Sequence, residues 1–221
     1  MPYCTKCGMK LPEDKEARFC PNCGAPIRAV YRRTEAEEIR PISGLKRSLL
    51  FSAVLLLCLI VTSAGALSNV NVTEAKTIVK DFNEMEEIIK KVGVRLIFGN
   101  NLMYCLVMFI PFIGPISGFY VLYSTGKVLA AISQTVGANP LILFMSIMIF
   151  PHAWLEYISY SLAITESILL SIYIVKYKFR GVRAEAMNVA KYIAVCSILL
   201  LIGAAIEMML ISSFSTTPFS K

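Results

Sequence analysis

The chain has 221 residues, 56% of them hydrophobic and only 17% charged, with a mean hydropathy of +0.64 and a formal net charge of +7. So much apolar surface excludes a soluble globular domain of this size. The basic charge is concentrated, since ten of the 22 Lys and Arg precede residue 49. Several stretches reach the roughly 20 residues that a helix needs to cross a hydrocarbon core of about 30 Å. The expected fold class is therefore an all-α polytopic membrane protein with about five transmembrane helices, some of them broken or re-entrant.

The amino-terminal end is polar. Cys4-Thr5-Lys6-Cys7-Gly8 and Cys20-Pro21-Asn22-Cys23-Gly24 are two CxxC knuckles separated by twelve residues. Two residues between cysteines let both thiolates reach one metal, and four thiolates close a tetrahedral shell. A glycine after each second cysteine permits the tight turn that points backbone N–H groups at sulfur. Residues 1–27 are expected to form a small zinc ribbon holding one structural ion on Cys4, Cys7, Cys20 and Cys23. Iron in a rubredoxin-like site is the alternative. The segment is too short to bury a sufficient core, so the metal supplies its folding energy. Four thiolates leave no open position for catalysis. Six acidic residues are mixed with the ten basic ones, which favours docking to a protein partner over nucleic acid. Residues 28–45 read as a linker, within a stretch from 24 to 48 punctuated by Pro26, Pro41 and Gly44.

Residues 46–215 read as the membrane domain. No secretory signal peptide is expected, because the first apolar run begins only at Leu49. Leu49–Leu67 is a first crossing, and Lys46, Arg47 and the arginines upstream place its start in the cytoplasm. Residues 73–92 form an external amphipathic helix, with Ala75, Ile78, Val79, Phe82, Met85, Ile89 and Val92 on one stripe. Glu86–Lys90 and Glu87–Lys91 are i, i+4 pairs in the favoured order, and Gly93 is a stop.

From Phe98 to Val175 the chain is apolar but broken by Pro111, Gly114-Pro115, Gly126-Lys127, Gly137, Asn139-Pro140 and Pro151. Two divisions compete: crossings near 98–113, 115–136 and a broken 140–175, or near 100–123, 128–150 and 152–175. The second leaves Lys127 at the cytoplasmic edge. Lys176, Lys178, Arg180 and Arg183 follow as a cytoplasmic basic cluster, and a fifth crossing near Val189–Ile211 leaves the carboxyl tail outside. Irregular backbone at membrane depth must be buried in protein or line a wet cavity.

His152 is the only histidine, and Glu156 follows one helical turn later. An ionisable residue at bilayer depth costs about 2.5–3.5 kcal/mol on insertion scales, so it marks a functional hypothesis. The bland alternative is a helix that starts at a membrane edge with Pro151 at its first position and His152 wetted by headgroups. At about 100° per residue, Glu156 sits roughly 40° to one side of His152 and Glu166 roughly 40° to the other. Asn100 and Asn101, at the start of another crossing, can meet this face with amide donors. Structural glue, a transport or sensing site, and catalysis are the three roles open to such a cluster. No HExxH, GxSxG, P-loop or dinucleotide fingerprint is present, and a lone histidine cannot give zinc two imidazoles. Cys58, Cys105 and Cys196 are isolated in apolar runs and pack as small hydrophobes.

The order Phe98-Gly99-Asn100-Asn101, Gly126, then Pro151-His152 leading Leu155-Glu156 resembles the stage II sporulation protein M family of integral membrane proteins. The resemblance covers about residues 45–215, and a ribbon ahead of the first crossing is similar to archaeal-type members. Ala153 departs from the glycine usual after the histidine. The resemblance implies a non-enzymatic membrane scaffold or regulator. In spore-forming bacteria the family member recruits peptidoglycan-degrading partners to the septal membrane and has no catalysis of its own. Asn100, Asn101, Gly126, His152 and Glu156 carry over as determinants without known chemistry. The expected product is a multi-pass protein of the cell membrane, with its N-terminus cytoplasmic and its C-terminus outside. The bilayer and a protein held by the ribbon are its expected partners, and a homo-oligomer stays open. The competing reading is a transporter or proton-coupled channel using His152, Glu156 and Glu166.

Overall fold

The computed structural model describes residues 3–11, 18–27 and 42–215, with the side chains at 179, 214 and 215 set aside. Two compact units separate between Arg40 and Pro41. The expected linker, 28–45, lies largely outside the described residues.

The first unit is a pair of matching knuckles. Cys4 N–H donates to Met9 O at 2.8 Å and Gly8 N–H to Cys4 O at 2.8 Å; Cys20 to Ala25 (2.8 Å) and Gly24 to Cys20 (2.9 Å) repeat the pattern. Gly8 and Gly24 take positive φ, 73° and 64°, a conformation in which a Cβ is strained. Single antiparallel bridges, Tyr3 to Lys10 and Phe19 to Pro26, close each knuckle. Leu11 and Ile27 pack against Cys4 and Cys20 as the unit's small core.

The second unit is helical. In chain order it contains α1 Gly44–Ala66, α2 Val72–Val92, α3 Val94–Met108, α4 Ile113–Val136, α5 Pro140–Met148, α6 Pro151–Tyr177 and α7 Phe179–Ser215. Several breaks fall where the sequence supplies a breaker, whereas the one between α6 and α7 falls at Lys178, φ 55°, with neither Gly nor Pro. Asn71 caps α2 by accepting from Glu74 N–H at 2.8 Å, and Gly93 ends it at φ 75°. Gly137 ends α4 in the left-handed conformation, and Asn139 caps α5 with Pro140 in its first turn. The α4–α5 pair bends by 118°. Pro151 then starts α6.

Cross-helix contacts fix the direction of each helix. At one level Arg47, Met108, Gly114, Glu166 and Glu185 meet; at the other, Thr62, Gly126, Glu156 and Tyr157. Consequently α1, α4 and α7 run one way through the bundle, and α3 and α6 run back. Among the described residues three helices are long and apolar enough to cross a membrane, α1, α6 and α7, and the bent α4–α5 pair gives up to four. The remaining traversing element, α3, has 15 residues. It rises only about 22 Å at 1.5 Å per residue, which is why it falls short of a full span by length.

Small residues let these helices approach. A Cβ on Gly65 or Gly126 would overlap the backbone of the opposing helix, so α1 and α4 touch main chain to main chain. Gly118 gives room to Ile164 in the same manner. Around these contacts Val54, Cys58, Cys105, Met108, Ile164, Cys196 and Leu200 form the buried centre.

The division that ran one crossing through 100–123 and the next through 128–150 is overturned. The chain turns at residues 109–112, where Phe112 takes φ 65°, and α4 runs unbroken through Gly126 and Lys127. That turn is tied to α6: Phe112 N–H donates to Ser171 Oγ at 2.8 Å, and Ser167 Oγ donates to Ile110 O at 2.7 Å. Lys127 accordingly sits near the α2 level, where its Nζ meets Glu74 at 2.6 Å. The amphipathic helix is present as expected, and Ala75, Ile78 and Val79 of its stripe pack against Val70, Ala130 and Ala131. Phe82, Met85 and Val92 remain exposed. Lys90 takes both Glu86 (2.9 Å) and Glu87 (3.2 Å), so Glu87 is drawn to Lys90 at i+3 in place of the expected Lys91.

Candidate metal centre and buried polar sites

The four ribbon cysteines converge. All four Sγ atoms lie within 4.8 Å of one another, with Cys4–Cys23 at 3.6 Å and Cys7–Cys20 at 3.7 Å. A tetrahedron with metal–sulfur bonds of about 2.3 Å has edges of roughly 3.8 Å, so the donor set fits a four-thiolate ion. Backbone N–H groups favour the thiolate form. That of Met9 contributes most to holding the Cys7 thiol down at about 6, and those of Cys7 and Lys6 lower Cys4. These amides act as the outer shell of the centre.

Within the membrane unit, the expected arc of His152, Glu156 and Glu166 resolves into separate environments. All three are on α6, but Glu166 lies ten residues beyond Glu156, about 15 Å along the helix. Angular proximity on a helical wheel does not bring side chains together over that length. Glu156 Oε1 accepts from Asn101 Nδ2 of α3 at 2.7 Å, which is the cross-helix amide contact the sequence led us to expect. Asn100 does not join it; its side chain is exposed and reaches only Asn101 Oδ1, at 3.5 Å. His152 stacks on Phe150 with ring centroids 5.8 Å apart, and its buried Nδ1 has no hydrogen-bond partner among the described residues. Although His152 and Glu156 are one helical turn apart, they share no hydrogen bond among the described residues; the carboxylate turns toward Asn101.

Glu166 belongs to a different group, one that sequence reasoning missed. Arg47 Nη1 donates to both Glu166 oxygens, and Nη2 donates to Glu185 Oε2 at 2.7 Å. Both carboxylates are 1% exposed, and Arg47 is 8% exposed. Glu185 also accepts from Asn188 Nδ2 at 2.9 Å and from Ile42 N–H at 3.4 Å. The Arg47 guanidinium lies 5.5 Å from the centre of the Tyr192 ring. A planar fork with five donors suits two carboxylates at once, where a lysine ammonium would not span them. The available signal was the need of Glu166, in an apolar run, for a cation at its own depth. By its place beside Lys46, Arg47 reads in the sequence only as a flanking topogenic charge. A second unforeseen link is Tyr157 Oη donating to Thr62 Oγ1 at 2.8 Å, joining α6 to α1.

A helical bundle of apolar spans, with paired ionisable groups buried between them and a four-thiolate ribbon ahead, defines a class: polytopic membrane proteins with a small metal-binding module. The ribbon matches the zinc-ribbon domain family over residues 3–27. The match to stage II sporulation protein M covers residues 48–210, most of the chain, and the protein belongs to that family. Neither the curated proteins nor the solved structures compared with it gave a match.

Proposed function

We propose that this family member is a non-enzymatic scaffold or regulator of the cell membrane, whose ribbon docks a cytoplasmic protein. The observation that carries this reading is the ribbon's surface. Tyr3 and Phe19 are 58% and 62% exposed, and each directly precedes the first cysteine of its knuckle. Met9, 41% exposed, adds apolar surface to the same module. Aromatic side chains held on a rigid metal-stapled turn have the composition of interface anchors. The ion is zinc in this reading: four thiolates fill its tetrahedral shell, so it staples the fold and has no position left for substrate.

Orientation follows from charge. Arg47 and Glu185 meet at one end of the bundle, and Lys46, Lys176, Lys178 and Arg183 lie close to them in sequence. That end faces the cytoplasm under the positive-inside rule, together with the ribbon. Five passes, α1, α3, α4, α6 and α7, then deliver the carboxyl end to the outer side, with α2 and α5 at the outer level. In-cell crosslinking followed by capture tests docking. Tyr3→Ser with Phe19→Ser, which leave the thiolates intact, should lose the captured partners while metal content stays at one ion per chain. Unchanged capture by that double variant would contradict the reading.

A further inference from the structure

Between Phe82 and Val92 the helix α2 sorts its side chains onto two sides. At about 100° per residue, Phe82, Met85, Ile88, Ile89 and Val92 fall within an arc of roughly 120°. Every polar residue of this stretch, from Asn83 to Lys91, takes the opposite side. On the apolar arc Phe82, Met85, Ile88 and Val92 are between 44% and 49% exposed. A contiguous apolar face that the fold leaves open marks a contact with something else. The next element decides what that is. Only Gly93, at φ 75°, separates α2 from α3, so no loop holds α2 away from the point where α3 enters the bundle. With 15 residues α3 rises about 22 Å against a hydrocarbon core of about 30 Å. Its far end, Met108, meets Gly114 at the level of Arg47 and Glu166. The shortfall therefore draws its near end, and Val92 with it, into the bilayer. Midway along this half of α2, Glu86 borders one groove with Phe150 of the α5–α6 junction and Ile211 near the end of α7. The helix thus lies across the ends of the passes.

We infer that the Phe82–Val92 half of α2 lies in the headgroup–acyl boundary of the leaflet that α3 enters, with its apolar arc turned into the lipid. A helix that separates apolar from charged faces and carries too many charges to span settles along the bilayer surface. Ala75, Ile78 and Val79 of the same stripe pack on Ala130 and Ala131 of α4, so the arc that meets lipid continues the face that meets protein. A soluble partner would have to enter the leaflet to reach it. The polar side is nearly balanced in this half, with two lysines against three glutamates. Apolar contact therefore carries the binding, and a zwitterionic lipid suffices. The leaflet is the outer one in the proposed orientation. The contact itself rests on the pass made by α3, and neither on sidedness nor on ribbon docking.

The test uses the full-length protein in phosphatidylcholine liposomes. Trp154 is the only tryptophan, so Trp154→Phe gives a background in which one introduced tryptophan reports its own surroundings. Phe82→Trp and Met85→Trp should each be quenched roughly twofold or more by phosphatidylcholine brominated near the top of its acyl chains. Asn83→Trp should be quenched by aqueous acrylamide instead. Adding anionic phosphatidylglycerol should leave the bromolipid quenching unchanged; quenching that requires it would overturn the inference. Acrylamide quenching of Met85→Trp as strong as that of Asn83→Trp would place the arc in water and overturn it. Protection of Met85→Trp from both quenchers would place the arc against protein, such as a second copy of the chain, and overturn it equally. Because these variants alter the helix being read, the unaltered protein is also crosslinked to phosphatidylcholine carrying a diazirine at the same depth. Adducts should map to Phe82, Met85 or Val92 and spare the polar side. Adducts on α1 with none between residues 82 and 92 would contradict the inference. Both readouts are blind to sidedness, so a failure of the proposed orientation and a failure of this contact are distinguishable.

Discussion

Arg47 shows how one side chain can serve two purposes at a membrane boundary. Its position beside Lys46 makes it part of the basic flank of α1, yet its guanidinium is buried between Glu166 and Glu185. Removing one member of a buried ion group leaves uncompensated charge and costs about 3–5 kcal/mol. Arg47→Met should therefore destabilise the bundle by about that amount, read by denaturant unfolding in mixed micelles. The triple variant Arg47→Met, Glu166→Gln, Glu185→Gln should recover most of the loss. A triple variant as unstable as the single one would show that the arginine acts through packing alone. Sequence spacing revealed the thiolate ligands, because CxxC places both donors in one turn. It could not reveal this group: Arg47 and Glu166 are 119 residues apart, and only the fold sets them at one depth. The same holds for His152 and Glu156, whose i, i+4 spacing permits a contact that Asn101 then takes from the imidazole.

At the level of elements, the breaks around α2, α4 and α5 were legible because they carry their own chemistry, Asn and Pro at starts and Gly at stops, whereas the break at Lys178 carries none. Gly126 sits inside α4 and was offered as a break; its purpose is the close approach to Gly65. Gly126→Leu should therefore separate α1 from α4, and overpacking of this kind costs about 1–3 kcal/mol or more. Loss of a disulfide crosslink engineered between these helices would read the separation, and an undisturbed crosslink would deny the contact its importance. The turn between α3 and α4 had no such marker beyond Pro111. Its geometry depends on Ser167 and Ser171 of α6, which capture Ile110 O and Phe112 N–H. In α2 the stripe is one face of the helix, yet Ala75, Ile78 and Val79 pack while Phe82 and Met85 stay open. Periodicity reports which residues share a face; it does not report how far the neighbouring helix extends along it.

For the molecule as a whole, the ribbon and the bundle obey different stability rules. The ribbon's core is four buried residues, two of them cysteines, so its fold depends on the ion. Cys4→Ser with Cys7→Ser should reduce bound metal from one ion per chain to none and make residues 1–40 protease-sensitive. The bundle should keep its helical signal. Loss of that signal would mean that the two units fold as one. The bundle in turn relies on apolar contact with lipid and on a few buried polar links, among which the Arg47 group lies at the level proposed to face the cytoplasm. The central claim is that five passes hold the metal module on the cytoplasmic side. Sidedness reporters fused in turn to the two ends of the full-length chain test it most directly. The account predicts a cytoplasmic signal from the amino-terminal fusion and an external one from the carboxyl-terminal fusion; both reporters on one side would contradict it.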